Sequence, residues 1–246
     1  MTNKFMYFVA NWKMFGDLKG LNSLNNVINF VTRNERKNFK VVYCPPSTLI
    51  FSLSKKFKNT PIDLGGQNSH ESENYGPYTG HINSKMLKDI GAKYLILGHS
   101  ENRQCGENDK LINLKIKNGL KTGLKIIFCI GETLKEKKNN KTNQILSNQI
   151  KIGLNGIKNK SNIIIAYEPV WAIGTGLIPE LSDLNNLIFF IKKKFKNKSQ
   201  KVLYGGSVNE NNINQLKTIN NIDGFLVGAA SQDAKKFIDI IKKTYN

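Results

Sequence analysis

Eight short apolar runs, spread along 246 residues, constrain the fold of this chain more than any other feature. They are FMYFVA from Phe5, KVVYC from Lys40, PIDLGG from Pro61, KYLILG from Lys93, LKIIFCIG from Leu124, NIIIAYE from Asn162, KVLYGG from Lys201 and IDGFLVG from Ile222. Each is rich in β-branched or aromatic residues and nearly continuous in its apolar character, as expected of strands buried on both faces of a parallel sheet. Between them the apolar residues recur at helical steps: Leu21, Leu24, Ile28 and Val31; Leu181, Leu184, Ile188, Ile191 and Phe195; Ala234, Phe237, Ile241 and Tyr245. Ser84 reads as the cap of a helix through Met86 and Ile90 that Gly91 stops. The length would also suit two small domains, but no Pro-, Gly- or Ser-rich linker divides the chain. Strand and helix alternating eight times predict a single (βα)8 barrel domain over residues 1–246, since a doubly wound sheet rarely holds eight units in this length.

The formal net charge of +19 invites a nucleic-acid reading. Yet of 37 basic residues only Arg33, Arg36 and Arg103 are arginine, whose planar fork reads bases and clamps phosphates. The lysines are spread along the chain, with local runs such as Lys192-Lys193-Lys194, and with abundant asparagine and isoleucine they match the usage of an AT-rich genome. We read them as a solvated surface and expect no nucleic-acid partner; a functional basic patch is the competing reading. An overall positive field would still attract an anionic substrate. Cys44, Cys105 and Cys129 are odd in number and lack metal-ligand spacing, so neither a disulfide framework nor a zinc site is expected, and the expected compartment is the cytoplasm. The apolar run near the start, Phe5 to Ala10, is too short for a signal-peptide core or a membrane span, so no membrane partner is expected.

In such a barrel, chemistry gathers where strands end and βα loops begin. The first strand ends in Asn11-Trp12-Lys13; a lysine there is a candidate cation, although most lysines of so lysine-rich a chain are merely solvated. The fourth ends in Gly98-His99-Ser100-Glu101, and of His70, His81 and His99 only His99 directly follows a strand. A helical turn opened by Ser100 would disfavour the imidazolium and leave a neutral ring able to donate to a carbonyl. A structural histidine bonded to backbone fits the position equally. The sixth strand ends in Tyr167-Glu168-Pro169, and a carboxylate following an apolar run is costly to bury, so it is either paired or used. The apolar stretch after it, Val170 to Gly176, reads as a water-excluding lid, with a buried ion pair under a packed loop as the alternative. The seventh and eighth strands end in Tyr204-Gly205-Gly206-Ser207 and Val227-Gly228-Ala229-Ala230-Ser231, small residues that let backbone N–H groups approach an anion.

Together these segments resemble triosephosphate isomerase over nearly the whole chain. The motifs ANWKM (10–14), LGHSE (97–101), AYEPVWAIGTG (166–176) and YGGSV (204–208) are long and family-specific. The resemblance implies a TIM barrel without metal or cofactor. It also implies interconversion of dihydroxyacetone phosphate and D-glyceraldehyde 3-phosphate through an enediol(ate), in glycolysis and gluconeogenesis. Glu168 would move the proton, His99 and Asn11 would polarise the substrate oxygens, and Lys13 would balance negative charge. This family is itself a standard example of such pKa tuning and of loop closure. Glu101 resembles the acid that supports those groups. Lid residues 169–179 would close over the substrate, with phosphate on the N–H groups of Gly174, Ser207, Gly228 and Ala229. The family is typically a homodimer whose third βα loop, here 74–80, reaches into the partner, so Thr79 would support the Asn11 and Lys13 opposite it. Another phosphosugar isomerase, or a polyanion-binding barrel, are the competing readings.

Several positions depart from the family pattern. The arginine after HSE is here Asn102, followed by Arg103, and the glutamate of TGE is here His81. In relatives those two typically pair across the dimer interface, and losing both is easier to explain than stranding one buried charge. His81 and Asn102 are therefore expected to meet between subunits. Ala229 stands where the family has the second glycine of VGGAS; were its φ positive, phosphate binding would weaken by about 1 kcal/mol. The second lid hinge, Leu177-Ile178-Pro179-Glu180, lacks the usual lysine, which bears on lid opening and product release.

Overall fold

A computed structural model describes residues 4–34, 38–195 and 200–246. β1 (Met6–Asn11), β2 (Phe39–Cys44), β3 (Ile62–Gly66), β4 (Tyr94–Leu97), β5 (Lys125–Ile130), β6 (Ile163–Tyr167), β7 (Lys201–Tyr204) and β8 (Gly224–Val227) pair in sequence order as a closed barrel. All pairings are parallel, including β8 with β1. Parallel neighbours need a crossover between them, and the intervening helices supply it. The eight predicted strands are all present, each within two residues of its expected bounds. Closure depends on Gly224, where a Cβ would lie 2.1 Å from the Tyr7 carbonyl oxygen.

Side chains alternate across a strand, so the barrel has two cores. Val9, Val42, Tyr94, Ile96, Ile127, Ile164, Ala166, Leu203 and Leu226 fill the interior with Cys44 and Cys129. Their neighbours, among them Phe8, Val41, Tyr43, Leu95, Phe128, Ile165 and Phe225, bury against the outer helices. Continuing the inward two-residue period one step past Val9, Ile96, Cys129, Ala166, Leu203 and Leu226 reaches Asn11, Gly98, Gly131, Glu168, Gly205 and Gly228. The strand period alone therefore delivers two polar groups and four glycines to the carboxyl mouth of the barrel.

One helix start differs from expectation. Asn83, not Ser84, caps the helix Ser84–Asp89, its side chain accepting the Met86 N–H at 3.0 Å. Ser84 instead turns its hydroxyl inward to Thr122 at 2.9 Å. Gly91 follows the helix end, as predicted. No described helix is long and apolar enough to cross a membrane.

Candidate active site

Glu168 sits one residue past β6 and is 3% exposed. Its N–H donates to the Ile130 carbonyl at 2.8 Å. Two glycines clear its seat: a Cβ at Gly131 would lie 1.8 Å from the Glu168 carbonyl oxygen, and one at Gly205 2.8 Å from its Cγ. Oε1 stands 3.5 Å from His99 Nε2, whereas Oε2 is buried without a partner. Burial pushes the carboxyl pKa up; His99, a hydrogen bond from the Cys129 thiol and Lys13 oppose the rise without cancelling it. A carboxylate so placed is suited to taking a proton.

His99 is the N-cap of the short helix Ser100–Gln104, where its Nδ1 accepts the Glu101 N–H at 3.2 Å. A ring nitrogen that accepts carries no proton, which leaves the proton on Nε2, the edge facing Glu168. The backbone-bonded reading of this histidine holds at Nδ1, and the opposite edge of the ring is left facing the cavity and Glu168. Asn11 ends β1, 5% exposed, and its Oδ1 accepts the Lys13 N–H at 3.1 Å. Lys13 takes a left-handed φ of +53°, which costs a non-glycine residue about 1–2 kcal/mol. Gln67 holds this turn, its Nε2 donating to the Lys13 and Cys44 carbonyls at 2.8 Å each. Lys13 Nζ reaches Glu101 Oε1 at 2.6 Å, and Glu101 Oε2 lies 3.7 Å from His99 Nδ1. Glu101 therefore holds the ammonium with its side chain and the imidazole with its backbone N–H.

Past Pro169, the single 3-10 turn Val170–Ala172 begins the loop expected to act as a lid, whose tip from Gly174 to Leu177 is exposed. Glu132, 1% exposed just beyond β5, anchors the lid base. Trp171 Nε1 donates to its Oε1 at 2.9 Å and the Tyr167 hydroxyl donates to its Oε2 at 3.2 Å. Burial raises the Glu132 pKa, with the Trp171 hydrogen bond as the leading opposing cause. On the far side, Ser207 Oγ donates to the Ala172 carbonyl at 2.7 Å and accepts the Gly176 N–H at 3.0 Å. The Ser207 N–H, expected to face an anion, also donates to Ala172, at 3.1 Å. Here it ties down the lid. The N–H groups of Gly174, Gly228 and Ala229 donate to no protein acceptor among the described residues. Ala229 opens the 3-10 turn Ala229–Gln232 and is not among the residues with positive φ, so the condition for strain at its methyl group is not met.

Asn11, Lys13, His99, Glu168, Gly174, Ser207, Gly228 and Ala229 line one cavity of about 340 Å³ at the carboxyl mouth. Glu101 stands behind it, on Lys13 and His99. Thr79 and His81 are exposed on the third βα loop, and Asn102 is partly buried on the helix Ser100–Gln104, none of them lining the cavity. Sequence reasoning missed Gln67, Cys129 and Glu132. Of these, Glu132 carried the signal used for Glu168, a carboxylate just after an apolar strand.

A cavity holding a buried carboxylate, an imidazole N–H and an ammonium can remove a proton, return it, and steady the negative charge formed in between. That defines an acid–base enzyme of the (βα)8 class. The family model for triosephosphate isomerase matches residues 6–244. The chain belongs to the triosephosphate isomerase family, and it is an isomerase. It is 42% identical to the triosephosphate isomerase of Thermodesulfovibrio yellowstonii over 250 residues, covering 98% of this chain and 100% of that one. With the enzyme of Dictyoglomus thermophilum it shares 41% identity over 244 residues, 95% of this chain and 97% of that one. The crystal structure of triosephosphate isomerase from Bartonella henselae superposes with a TM-score of 0.90 at 34% identity, covering 98% of this chain and all of that one.

Proposed function

We propose that the chain interconverts dihydroxyacetone phosphate and D-glyceraldehyde 3-phosphate through an enediol(ate), with Glu168 as the base. The observation that carries this is the Glu168 Oε2, buried in the cavity wall with no partner of its own. It takes a proton from one substrate carbon and returns it to the next. His99 Nε2–H donates to the carbonyl oxygen; a neutral donor steadies the enediolate without holding it as a stronger acid would. Asn11 supplies the second polar contact to the substrate oxygens. Lys13, braced by Glu101, offsets the charge of phosphate and enediolate. Phosphate rests on the N–H groups of Gly174, Gly228 and Ala229, and on that of Ser207 once the lid releases it. We place this work in the cytoplasm, in glycolysis and gluconeogenesis, where three free cysteines suit a reducing compartment. A coupled assay on dihydroxyacetone phosphate tests the reading: Glu168→Gln should lower kcat by about a thousandfold. An inactive wild type, or an equally active variant, sinks it. A polyanion-binding barrel would instead show salt-sensitive binding indifferent to Glu168.

We further infer that the chain works as a homodimer. The loops after β1 and β3, linked by Gln67, expose Met14 (94%), Phe15 (57%), Tyr75 (73%) and Tyr78 (46%), an apolar surface that water disfavours. Ser69 Oγ and Glu107 Oε2 are buried nearby without partners. Thr79 would support the Asn11 and Lys13 of the other subunit, and His81 would meet Asn102 across the interface. Within one subunit His81 packs its ring 4.8 Å from that of His70. Sedimentation should give a dimer, and a double-mutant cycle of His81→Ala with Asn102→Ala should show coupling in its dissociation. A monomer at micromolar concentration would refute the pairing.

A further inference from the structure

The pairing of β4 with β5 runs in register as far as Leu97 opposite Phe128. Gly98 then leaves the strand with a left-handed φ of +74°, a conformation that glycine adopts without strain. A Cβ at Gly98 would lie 3.0 Å from the Cys129 carbonyl oxygen and 3.1 Å from Nη2 of Arg103, so glycine also makes room for that side chain. Arg103, on the helix Ser100–Gln104, joins the two strands where their register ends. Its Nε donates to the Gly98 carbonyl at 2.7 Å, and its Nη2 to the Cys129 carbonyl at 3.2 Å. Nη1 donates to Asp109 Oδ1 at 2.6 Å, in the first turn of the helix Asp109–Lys121. The Arg103 N–H itself donates to the His99 carbonyl at 3.0 Å.

Both carbonyls lie directly behind the groups at the mouth of the barrel. Gly98 precedes His99 in the chain. Cys129 precedes Ile130, whose carbonyl receives the Glu168 N–H at 2.8 Å, and it pairs with Ala166, two residues before Glu168. One guanidinium thus spans the junction across which His99 Nε2 and Glu168 Oε1 stand 3.5 Å apart. Arg103 does not line the cavity, so it acts on that distance only through the backbone. The residue type fits the task. Of 37 basic residues three are arginine, and lysine serves even where a cation is buried, as Lys115 does on Glu107. A lysine offers a single point of donation, whereas Nε and Nη2 form one rigid edge that fixes the spacing of two acceptors.

We propose that Arg103 is a positioning residue, setting the separation of His99 and Glu168 through the Gly98 and Cys129 carbonyls, with Asp109 holding the plane of its guanidinium. This rests on the reading of Glu168 as base and His99 as hydrogen-bond donor. The plainer alternative is that the three side-chain bonds only stabilise the fold. The two differ in kinetics. A displacement of about 1 Å between reacting groups can cost about a hundredfold in rate, with no loss of binding. The N–H groups assigned to phosphate, on Gly174, Ser207, Gly228 and Ala229, follow β6, β7 and β8, none of which Arg103 touches.

The test is the coupled assay on dihydroxyacetone phosphate with Arg103→Met, Arg103→Lys and Asp109→Asn, rates being taken per folded molecule as counted by circular dichroism. Arg103→Met should lower kcat about a hundredfold and Arg103→Lys about tenfold or more, with KM within about threefold of wild type. Asp109→Asn, which keeps the fork and loosens its anchor, should cost about two- to fivefold in kcat, and it carries the test with Arg103→Lys should Arg103→Met fail to fold. Substrate with deuterium at the carbon that loses its proton should show a larger isotope effect on kcat in the variants, because the slowed step is proton transfer. Unchanged kcat in folded Arg103→Lys and Asp109→Asn, a rise in KM in place of the fall in kcat, or a fall in kcat with no larger isotope effect would overturn the proposal and leave Arg103 a stabilising contact. An inactive wild type would sink the catalytic reading and this one with it, whereas an active wild type indifferent to Arg103 sinks this one alone.

Discussion

Glu168→Gln should leave the protein more stable as well as inactive. Glu168 is 3% exposed, its Oε2 has no partner, and burial raises its pKa above the ordinary 4.5. The folded state therefore holds the carboxyl proton more tightly than the unfolded chain does. Stability must fall as pH rises from 4.5 through the raised pKa, and stay lower above it. An unsatisfied buried polar group costs about 1–3 kcal/mol, and His99, Cys129 and Lys13 recover part of that, leaving a gain of about 1–2 kcal/mol for glutamine near pH 8. For a chain of this size that corresponds to a Tm higher by about 2–8 °C. Thermal unfolding followed by circular dichroism, from pH 4 to 8 and at equal protein concentration, measures it, because the Tm of any chain that self-associates depends on concentration. The difference should shrink toward zero near pH 4.5, where glutamate is protonated and resembles glutamine. A variant less stable at pH 8, or a gain unchanged across the range, would refute the reasoning.

Gly131→Ala sets a methyl group 1.8 Å from the Glu168 carbonyl oxygen, so the backbone must shift; a loss of about 3 kcal/mol or more is expected in urea unfolding, with kcat falling as Glu168, the proposed base, moves. Trp171→Phe removes the 2.9 Å bond to Glu132 and leaves a buried carboxylate less satisfied. About 1–3 kcal/mol should be lost, with faster hydrogen exchange at residues 172–176. Ala229→Gly should leave KM within about twofold, because Ala229 already avoids positive φ; a fivefold drop would show that its methyl group obstructs phosphate.

The barrel was legible because buried parallel strands write themselves as apolar runs, and period two then carries Asn11 and Glu168 to the mouth without further information. His99 was harder. Its position admitted two readings, and the Glu101 N–H on Nδ1 shows that the backbone-bonded one does not exclude the other, since Nε2 stays turned to the cavity. Asn83 and Ser84 are adjacent residues that both cap helices well, and what separates them is Thr122, distant in sequence and receiving the Ser84 hydroxyl. Gln67 gave no signal, since an amide past a strand end is unremarkable until the Lys13 carbonyl is seen beside it. Cys129 read only as one of three unpaired cysteines, yet from the adjacent strand its thiol is among the groups that restrain the rise of the Glu168 pKa. The Ser207 N–H was expected to face an anion because a sequence motif does not say that the Ala172 carbonyl, distant along the chain, is folded against it.

The pairing of Tyr7 with Gly224 has a consequence for how the chain is made. A ring closed between its first and last strands cannot close while the ribosome still withholds the last one. Until Phe225 emerges, β1 and β7 each present a row of bare N–H and C=O groups, to which a strand of another nascent chain can add. Exposure is therefore longest for β1, which is synthesised first and waits through the whole of translation for its second neighbour. Pausing between β7 and β8 should prolong the hazard most, and uninterrupted delivery of these two strands should limit aggregation during synthesis.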